Sequence, residues 1–298
     1  MTHDEHGPAA TPGDEHLDPR GQIDRVVRTM VDRLSLTCVE ILLGGTPGPT
    51  TSYLGGSPYL PPGSDWPVDD HGPQLFVGQV SWAEVPARGE GAPGLQEMGF
   101  PRSGMLQWFV SADDTWGLSF DDDQGATGFT VRWFDDLPAP GRLDPHTPPV
   151  TGPDADHPLE LAGPVAMGFR VGRSAPLWAD LLPVVRQQDF WPVWAQLHGR
   201  APEEVEDLFD DFSRRPENLP GDHVPGSKIG GYPTFTQADP RGTAAYAPAN
   251  QGPGFLLLEL DGDDTGGWGD GGIAQLFGDP EEVAVGDLRQ VRYHWDCF

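Results

Sequence analysis

A short glycine motif occurs once in each half of this chain of 298 residues. It reads SYLGGSP at residues 52–58 and SKIGGYP at residues 227–233. Two apolar segments follow each copy. They lie at residues 75–80 and 104–109 after the first copy and at residues 255–260 and 272–277 after the second, and the later segment of each pair begins with a glycine. Three matched blocks in one order indicate an internal duplication. The sequence therefore predicts an α+β fold with two duplicated, mostly antiparallel β-rich lobes and a few peripheral helices.

The composition indicates a folded protein with much loop. The chain is long enough to bury a core, although 40 glycines and 33 prolines favour turns over long regular elements. Disordered chains are poor in large aromatic residues, whereas this chain has 10 tryptophans and 14 phenylalanines. The composition therefore predicts short strands and few long helices.

The chain is strongly acidic, with a formal net charge of -28. Such a charge repels nucleic acid and anionic membranes and attracts cations or basic proteins. Solubility alone is the other interpretation of the charge, and the sequence leaves both open. We expect no nucleic-acid partner and no membrane partner, and a basic protein is the partner that the charge favours.

The two cysteines, Cys38 and Cys297, form neither a disulfide framework nor a metal-binding pattern. The first residues resemble no signal peptide, and no apolar run approaches the length of a membrane span. We therefore expect a cytoplasmic protein, and no motif in the chain calls for a cofactor.

Local patterns give a provisional domain organisation. Helical spacing of apolar residues predicts helices at residues 21–35, 176–197 and 203–214. The expected domains are a disordered N-terminal arm (1–20), a first β-rich lobe with an N-terminal helix (21–150), a linker and helical segment (151–218) and a second β-rich lobe (219–298), with the two lobes fused as one unit.

Several motifs together resemble a known family. They occur in one order and are GGxP at residues 55–58, WP at 66–67, SG at 103–104, SKIGGYP at 227–233, QxDPR at 237–241 and WGDGG at 268–272. This set is similar to the YwqG-like family, a bacterial domain of unknown function. The resemblance implies two similar β-rich halves in a cytoplasmic bacterial protein, without an established activity. Members are similar to proteins encoded near secreted-toxin systems in some bacteria, and the resemblance therefore implies an immunity or interaction role. Tyr53 stands where many members have lysine.

The second glycine motif contains the only lysine of the chain, Lys228. Glycine turns can present backbone N–H groups to an anion, and a nearby ammonium would strengthen such a site; a purely structural turn is the alternative. Together with the family motifs, this gives a set of candidate ligand-binding residues. They are Lys228, Tyr232, Gln237, Arg241, Trp268, Asp270 and Gln79.

Metal and catalytic motifs are weak. Asp261 and Asp263 begin an acidic loop, but Gly272 stands where a calcium-binding EF-hand loop needs glutamate, so we expect no metal site. The chain contains neither a nucleophile elbow nor an HExxH motif, and no catalytic residue is assigned. The sequence favours a non-catalytic protein-binding module, toxin-immunity-like in its role. The alternative is an enzyme or small-ligand-binding protein with its site in a groove between the lobes.

Overall fold

A large antiparallel sheet dominates the computed structural model of the protein, which describes residues 18–86, 94–119, 126–135, 144–145, 156–185, 190–243, 246 and 256–298. The strands are β1 (Leu36–Leu43), β2 (Tyr53–Leu54), β3 (Tyr59–Leu60), β4 (Val68–Asp69), β5 (Gly72–Pro73), β6 (Leu75–Ser81), β7 (Met105–Val110), β8 (Phe129–Phe134), β9 (Asp144–Pro145), β10 (Val165–Ser174), β11 (Lys228–Ile229), β12 (Leu256–Asp261), β13 (Ile273–Phe277) and β14 (Arg292–Asp296). The helices are α1 (Pro19–Leu34), α2 (Trp178–Val185), α3 (Phe190–Leu197), α4 (Val205–Ser213), α5 (Gly262–Thr265) and α6 (Pro280–Ala284).

Ten strands belong to one sheet in the order β14-β13-β12-β11-β1-β10-β2-β6-β7-β8. The two long strands β1 and β10 pair antiparallel over eight residues at its centre. Four strands from the second half of the chain follow β1 on one side, and four from the first half follow β10 on the other. The mostly antiparallel, β-rich α+β fold is therefore confirmed, and both sets of strands lie in the same sheet.

The sheet curls around its main apolar core. Trp108 on β7, Trp268 and Tyr293 on β14 are buried in this core. The ring of Phe129 on the edge strand β8 lies 5.6 Å from the ring of Tyr293 on the other edge strand. Side chains of the two edges therefore meet across the core.

A second unit is helical and is formed by residues up to Ser35 together with Ala175–Gly221. Its core is aromatic, with Trp191, Trp194 and Phe209 buried among α1, α3 and α4. Asp24 Oδ1 on α1 accepts a hydrogen bond from Trp194 Nε1 at 3.0 Å, and the same oxygen lies 2.7 Å from His198 Nε2. These contacts fasten α3 to α1 inside the helical unit.

Most predicted elements are confirmed. The helix expected at 21–35 is α1, and residues 176–197 form two helices, α2 and α3, instead of one, with residues 186–189 outside the described residues. Residues 1–17 of the expected arm and residues 151–155 of the expected linker also lie outside them. Residues 165–174, which fall in the expected linker and helical segment, form the central strand β10.

Within the described ranges, the helices are too short or too polar to cross a membrane.

Candidate functional site

Two rows of polar side chains run across the sheet, one in each half. In the first row, which we call the first ladder, Tyr53 lies opposite Gln79, Gln79 opposite Gln107, and Gln107 opposite Arg132. Gln107 Nε2 donates to Gln79 Oε1 at 3.1 Å and to the carbonyl oxygen of Tyr59 at 2.8 Å. This face also carries Phe109, over whose ring the Arg132 guanidinium lies at 5.7 Å.

The second ladder has the same layout with different chemistry. Lys228 lies opposite Glu259, Glu259 opposite Gln275, and Gln275 opposite His294. Gln275 Nε2 donates to the carbonyl oxygen of Thr234 at 2.5 Å, matching the bond from Gln107 to Tyr59. The second ladder therefore carries an ion pair where the first has tyrosine and glutamine.

The serines that precede the ladders make matching bonds. Ser81 N donates to Ser52 Oγ at 2.8 Å, and Asp261 N donates to Ser227 Oγ at 2.9 Å. The backbone N–H of Ser52 in turn donates to Glu84 Oε2 at 2.6 Å, and that of Ser227 donates to Asp264 Oδ2 at 2.7 Å. Each carboxylate lies three residues after the residue whose N–H bonds the serine hydroxyl, Ser81 or Asp261. The serine of each glycine motif thus fixes the motif to the C-terminal end of the neighbouring strand, β6 in the first half and β12 in the second.

Lys228 and Glu259 form a salt bridge with each side chain only 1% exposed. Glu259 Oε2 also accepts from Thr234 N at 2.7 Å, and Lys228 Nζ donates to Thr234 Oγ1 at 3.3 Å. Burial raises the pKa of the Glu259 carboxyl, and the Lys228 ammonium opposes that rise. The ammonium is thus held by groups of its own fold rather than presented at the surface.

The far end of the second ladder holds a titratable pair. His294 Nε2 lies 4.0 Å from Asp296 Oδ2, and the same Oδ2 accepts from the backbone N–H groups of Thr236 and Gln237 at 2.9 and 2.8 Å. Burial lowers the pKa of His294 to about 4 and raises the pKa of Asp296. His294 is therefore neutral at pH 7.

Two of the candidate residues lie on the loop beside this pair. Gln237 Nε2 donates to the carbonyl oxygen of Cys297 at 2.6 Å. Arg241 is 9% exposed and forms a two-pronged ion pair with Asp239, at 2.9 and 2.6 Å. The Arg241 guanidinium also lies 5.6 Å from the ring of Phe235, which packs edge-on to His294 at 5.9 Å. The loop thus brings Gln237 and Arg241 to the His294 end of the ladder.

The other candidates lie apart from that end or are enclosed. Tyr232 is buried, and its backbone N–H donates to Ser174 Oγ at 3.0 Å. Gln79 belongs to the first ladder. Trp268 is fully buried and stacked on Trp108, with ring centroids 5.6 Å apart. Asp270 is exposed, and its carbonyl oxygen accepts from Phe298 N at 3.1 Å.

The two weak metal candidates act as turn residues. Asp261 precedes α5, and its Oδ1 accepts from Asp263 N at 2.9 Å. The described residues contain no group of three or more histidine, cysteine or acidic side chains placed to hold a metal ion. The two cysteines are free, Cys38 buried and Cys297 partly exposed.

A groove of about 500 Å³ lies at the edge of the sheet beside β8. Its walls come from β8 and from the segment after α6, and its lining includes Val131, Trp133, Asp135, Val285 and Leu288. Trp133 Nε1 donates to Asp135 Oδ1 at 2.8 Å, and Val285 is 79% exposed.

The sequence did not single out Glu259, Gln275, His294 or the groove. A signal for two of them was present, because Gln275 follows its glycine at the same spacing as Gln107 and Glu259 aligns with Gln79 in the apolar runs. His294 and Asp296 could not be assigned, since only the pairing of β14 with β13 places them on the ladder.

Comparison with curated proteins gave no significant match. A family model described as "Domain of unknown function (DUF1963)" matches residues 52–297, which include both glycine motifs, both ladders and the groove. Because the match spans most of the chain, the protein belongs to this family, DUF1963.

Proposed function

We propose that the protein is a binding module for a basic protein partner, and that the groove beside β8 is its contact surface. The groove is the observation that carries the proposal. Its volume of about 500 Å³ falls within the range of ordinary binding clefts. Val131, Trp133 and Leu288 supply apolar contact area, and Asp135 supplies a carboxylate at the same place.

The position of the groove supports recognition of a polypeptide. β8 is the last strand of the sheet as described, with a neighbour, β7, on one side only. All six of its residues are partly exposed. The open edge of a strand presents backbone N–H and C=O groups that an extended segment of another chain can pair with.

The charge of the protein supports a basic partner. A net charge of -28 creates a long-range field that raises the encounter rate with basic proteins and repels acidic ones. The field is screened by salt, with a Debye length of about 10 Å at 0.1 M. We therefore expect partner binding to weaken strongly between about 0.05 M and about 0.5 M salt.

A matched pair of charge substitutions tests the contact surface. Val285→Arg places a positive charge at the groove, and Val193→Arg places one on α3; both valines are exposed, 79% and 48%, so both variants should fold. With tagged protein as bait in a lysate of its own host, we expect wild type and Val193→Arg to retain the same basic partner. We expect Val285→Arg to lose it.

Two results would count against the proposal. Equal retention of the partner by both variants would show that the groove is not the contact surface. Retention of an acidic partner, or retention that does not change with salt, would show that the charge does not select the partner.

We also infer that the two halves arose by duplication and that the family relationship extends to YwqG-like proteins of the cytoplasm. Matched serine bonds, matched glutamines and a symmetrical strand order support the duplication. A role like that of a toxin-immunity protein would agree with a basic partner.

A further inference from the structure

The hydrogen-bond register of β8 decides which of its backbone groups face the open edge of the sheet. Ser111 N donates to the carbonyl oxygen of Gly128 at 2.7 Å, and these two residues continue the register that pairs β7 with β8. In an antiparallel pair, hydrogen-bonded and non-hydrogen-bonded positions alternate along the strands. Alternate residues of β8 therefore bond to β7, and the others point their N–H and C=O groups away from it. These outward residues are Phe129, Val131 and Trp133.

The groove runs along these outward groups. At the start of β8 the two sheet edges approach each other, where the ring of Phe129 meets that of Tyr293. At the end of β8 the groove lies between the strand and residues 285–288. Among the described residues, no hydrogen bond reaches the outward N–H or C=O groups of Val131 and Trp133. The groove thus gives access to backbone groups that a further strand can pair with.

The side chains of β8 make its two faces chemically different. Val131 and Trp133 pack against the main core on the inner face. Asp135 joins them, because Trp133 Nε1 donates to its carboxylate at 2.8 Å. The Arg132 guanidinium lies on the outer face, over the ring of Phe109. A segment paired with β8 therefore meets apolar groups and a carboxylate on one face and a guanidinium on the other.

We propose that the basic partner binds by adding a strand antiparallel to β8, and that this strand carries a basic residue followed at alternate positions by two apolar residues. The inference rests on the proposed function, which places the contact at the groove, and adds the chemistry of the bound segment. Side chains directly opposite each other on neighbouring strands share a face. The basic residue then lies opposite Asp135, and the apolar residues lie opposite Trp133 and Val131.

The surroundings limit the segment further. A second basic residue is excluded opposite Arg132, because like charges directly opposite each other destabilise a sheet. The antiparallel direction is the slightly more stable one for strand pairs. The contact from Asp135 to Val131 spans five residues, about 14 Å of strand.

Calorimetric titration of the full chain with two short peptides tests this pattern. The matching peptide, acetyl-Ser-Lys-Thr-Val-Thr-Val-Ser-amide, carries lysine and both valines on one face of a strand. The control peptide, acetyl-Ser-Val-Lys-Val-Thr-Thr-Ser-amide, has the same composition and charge but places lysine on the face opposite the valines. We expect the matching peptide to bind at least about tenfold more tightly. Equal affinity, or no binding of the matching peptide at about 1 mM, overturns the proposal.

Methylation of single peptide nitrogens separates strand addition from other ways of filling the groove. The first valine, opposite Trp133, turns its N–H towards β8, whereas the following threonine, opposite Arg132, turns its N–H away. N-methylation of that valine should weaken the Kd at least about tenfold, because it removes a hydrogen bond between the strands. N-methylation of the threonine should change the Kd less than about twofold. Equal effects of the two methyl groups would show that no strand is added.

Amide hydrogen exchange gives a readout that does not depend on the peptide sequence. In the free protein, we expect the N–H groups of Val131 and Trp133 to exchange fast and that of Arg132 to exchange slowly. Slow exchange of all three would overturn the proposal, because the edge would already be covered. Loss of the basic partner by Val285→Arg, together with equal effects of the two methyl groups, would overturn strand addition and leave the groove as the contact surface.

Discussion

Lys228 and Glu259 are a buried charge pair whose members depend on each other, because each side chain is only 1% exposed. Removing one charge leaves the other without a partner, which costs about 3–5 kcal/mol at buried sites. We therefore expect Lys228→Met to lower the free energy of unfolding by about that amount in urea denaturation. The first ladder supplies a control, since it has Tyr53 and Gln79 at these positions.

The double variant Lys228→Tyr with Glu259→Gln copies that neutral pair. We expect it to recover at least half of the stability that Lys228→Met loses. A single variant that unfolds at the urea concentration of the wild type would contradict the prediction, since a dispensable lysine would not be part of a coupled pair.

His294 makes the stability depend on pH. Its pKa falls from the model-peptide value of 6.5 to about 4 on folding, so the unfolded chain binds more protons between these values. The contribution of His294 to the free energy of unfolding is complete above pH 6.5 and is lost as the pH falls from 6.5 to about 4. We expect wild type to lose about 2 kcal/mol more than His294→Gln between pH 7 and pH 5. Equal losses in the two urea titrations would contradict the assignment.

At the scale of elements, the turn between β12 and β13 is fixed by contacts of its backbone. Trp268 has φ +62°, a conformation that bulky residues rarely adopt. A Cβ at Gly272 would lie 1.8 Å from the Trp268 carbonyl oxygen. We expect Gly272→Ala to destabilise the protein by about 3 kcal/mol, with altered tryptophan near-ultraviolet dichroism. Gly163→Ala is the control, because a Cβ there meets nothing within 4 Å; an equal effect of the two substitutions would contradict the prediction.

Several of the strands that the sequence predicted contain runs of at least three consecutive apolar residues. β1 and β12 are examples, with the runs Ile41–Leu43 and Leu256–Leu258. β10 was missed because Gly168 and Gly172 interrupt its pattern, and glycine is disfavoured inside strands. The structure explains Gly172, since a Cβ there would lie 2.8 Å from the carbonyl oxygen of Asp222. The close approach of the backbone at Asp222 requires glycine in this strand despite the low strand propensity of glycine. The sequence around Gly172 does not show which distant segment approaches it.

At the scale of the whole molecule, the two halves exchange strands. β1 comes from the first half and lies between β10 and β11 of the second half. β2 comes from the first half and pairs with β10. The sequence predicted two matched lobes but could not predict this exchange, because pairing between distant segments leaves no local pattern. Each half therefore depends on the other for strand pairing, because β1 pairs only with strands of the second half and β10 only with strands of the first half.

This exchange predicts how the chain behaves when it is divided. Fragments 1–148 and 149–298 each retain one glycine motif and one ladder. We expect neither fragment alone to unfold cooperatively in urea, because β1 without β10 and β11 leaves a row of unpaired backbone groups. Mixed in equal amounts, the fragments should restore the near-ultraviolet dichroism of the intact chain. Cooperative unfolding of either fragment alone would show instead that each half is a self-sufficient lobe, because only such a lobe could fold without the strands supplied by the other half.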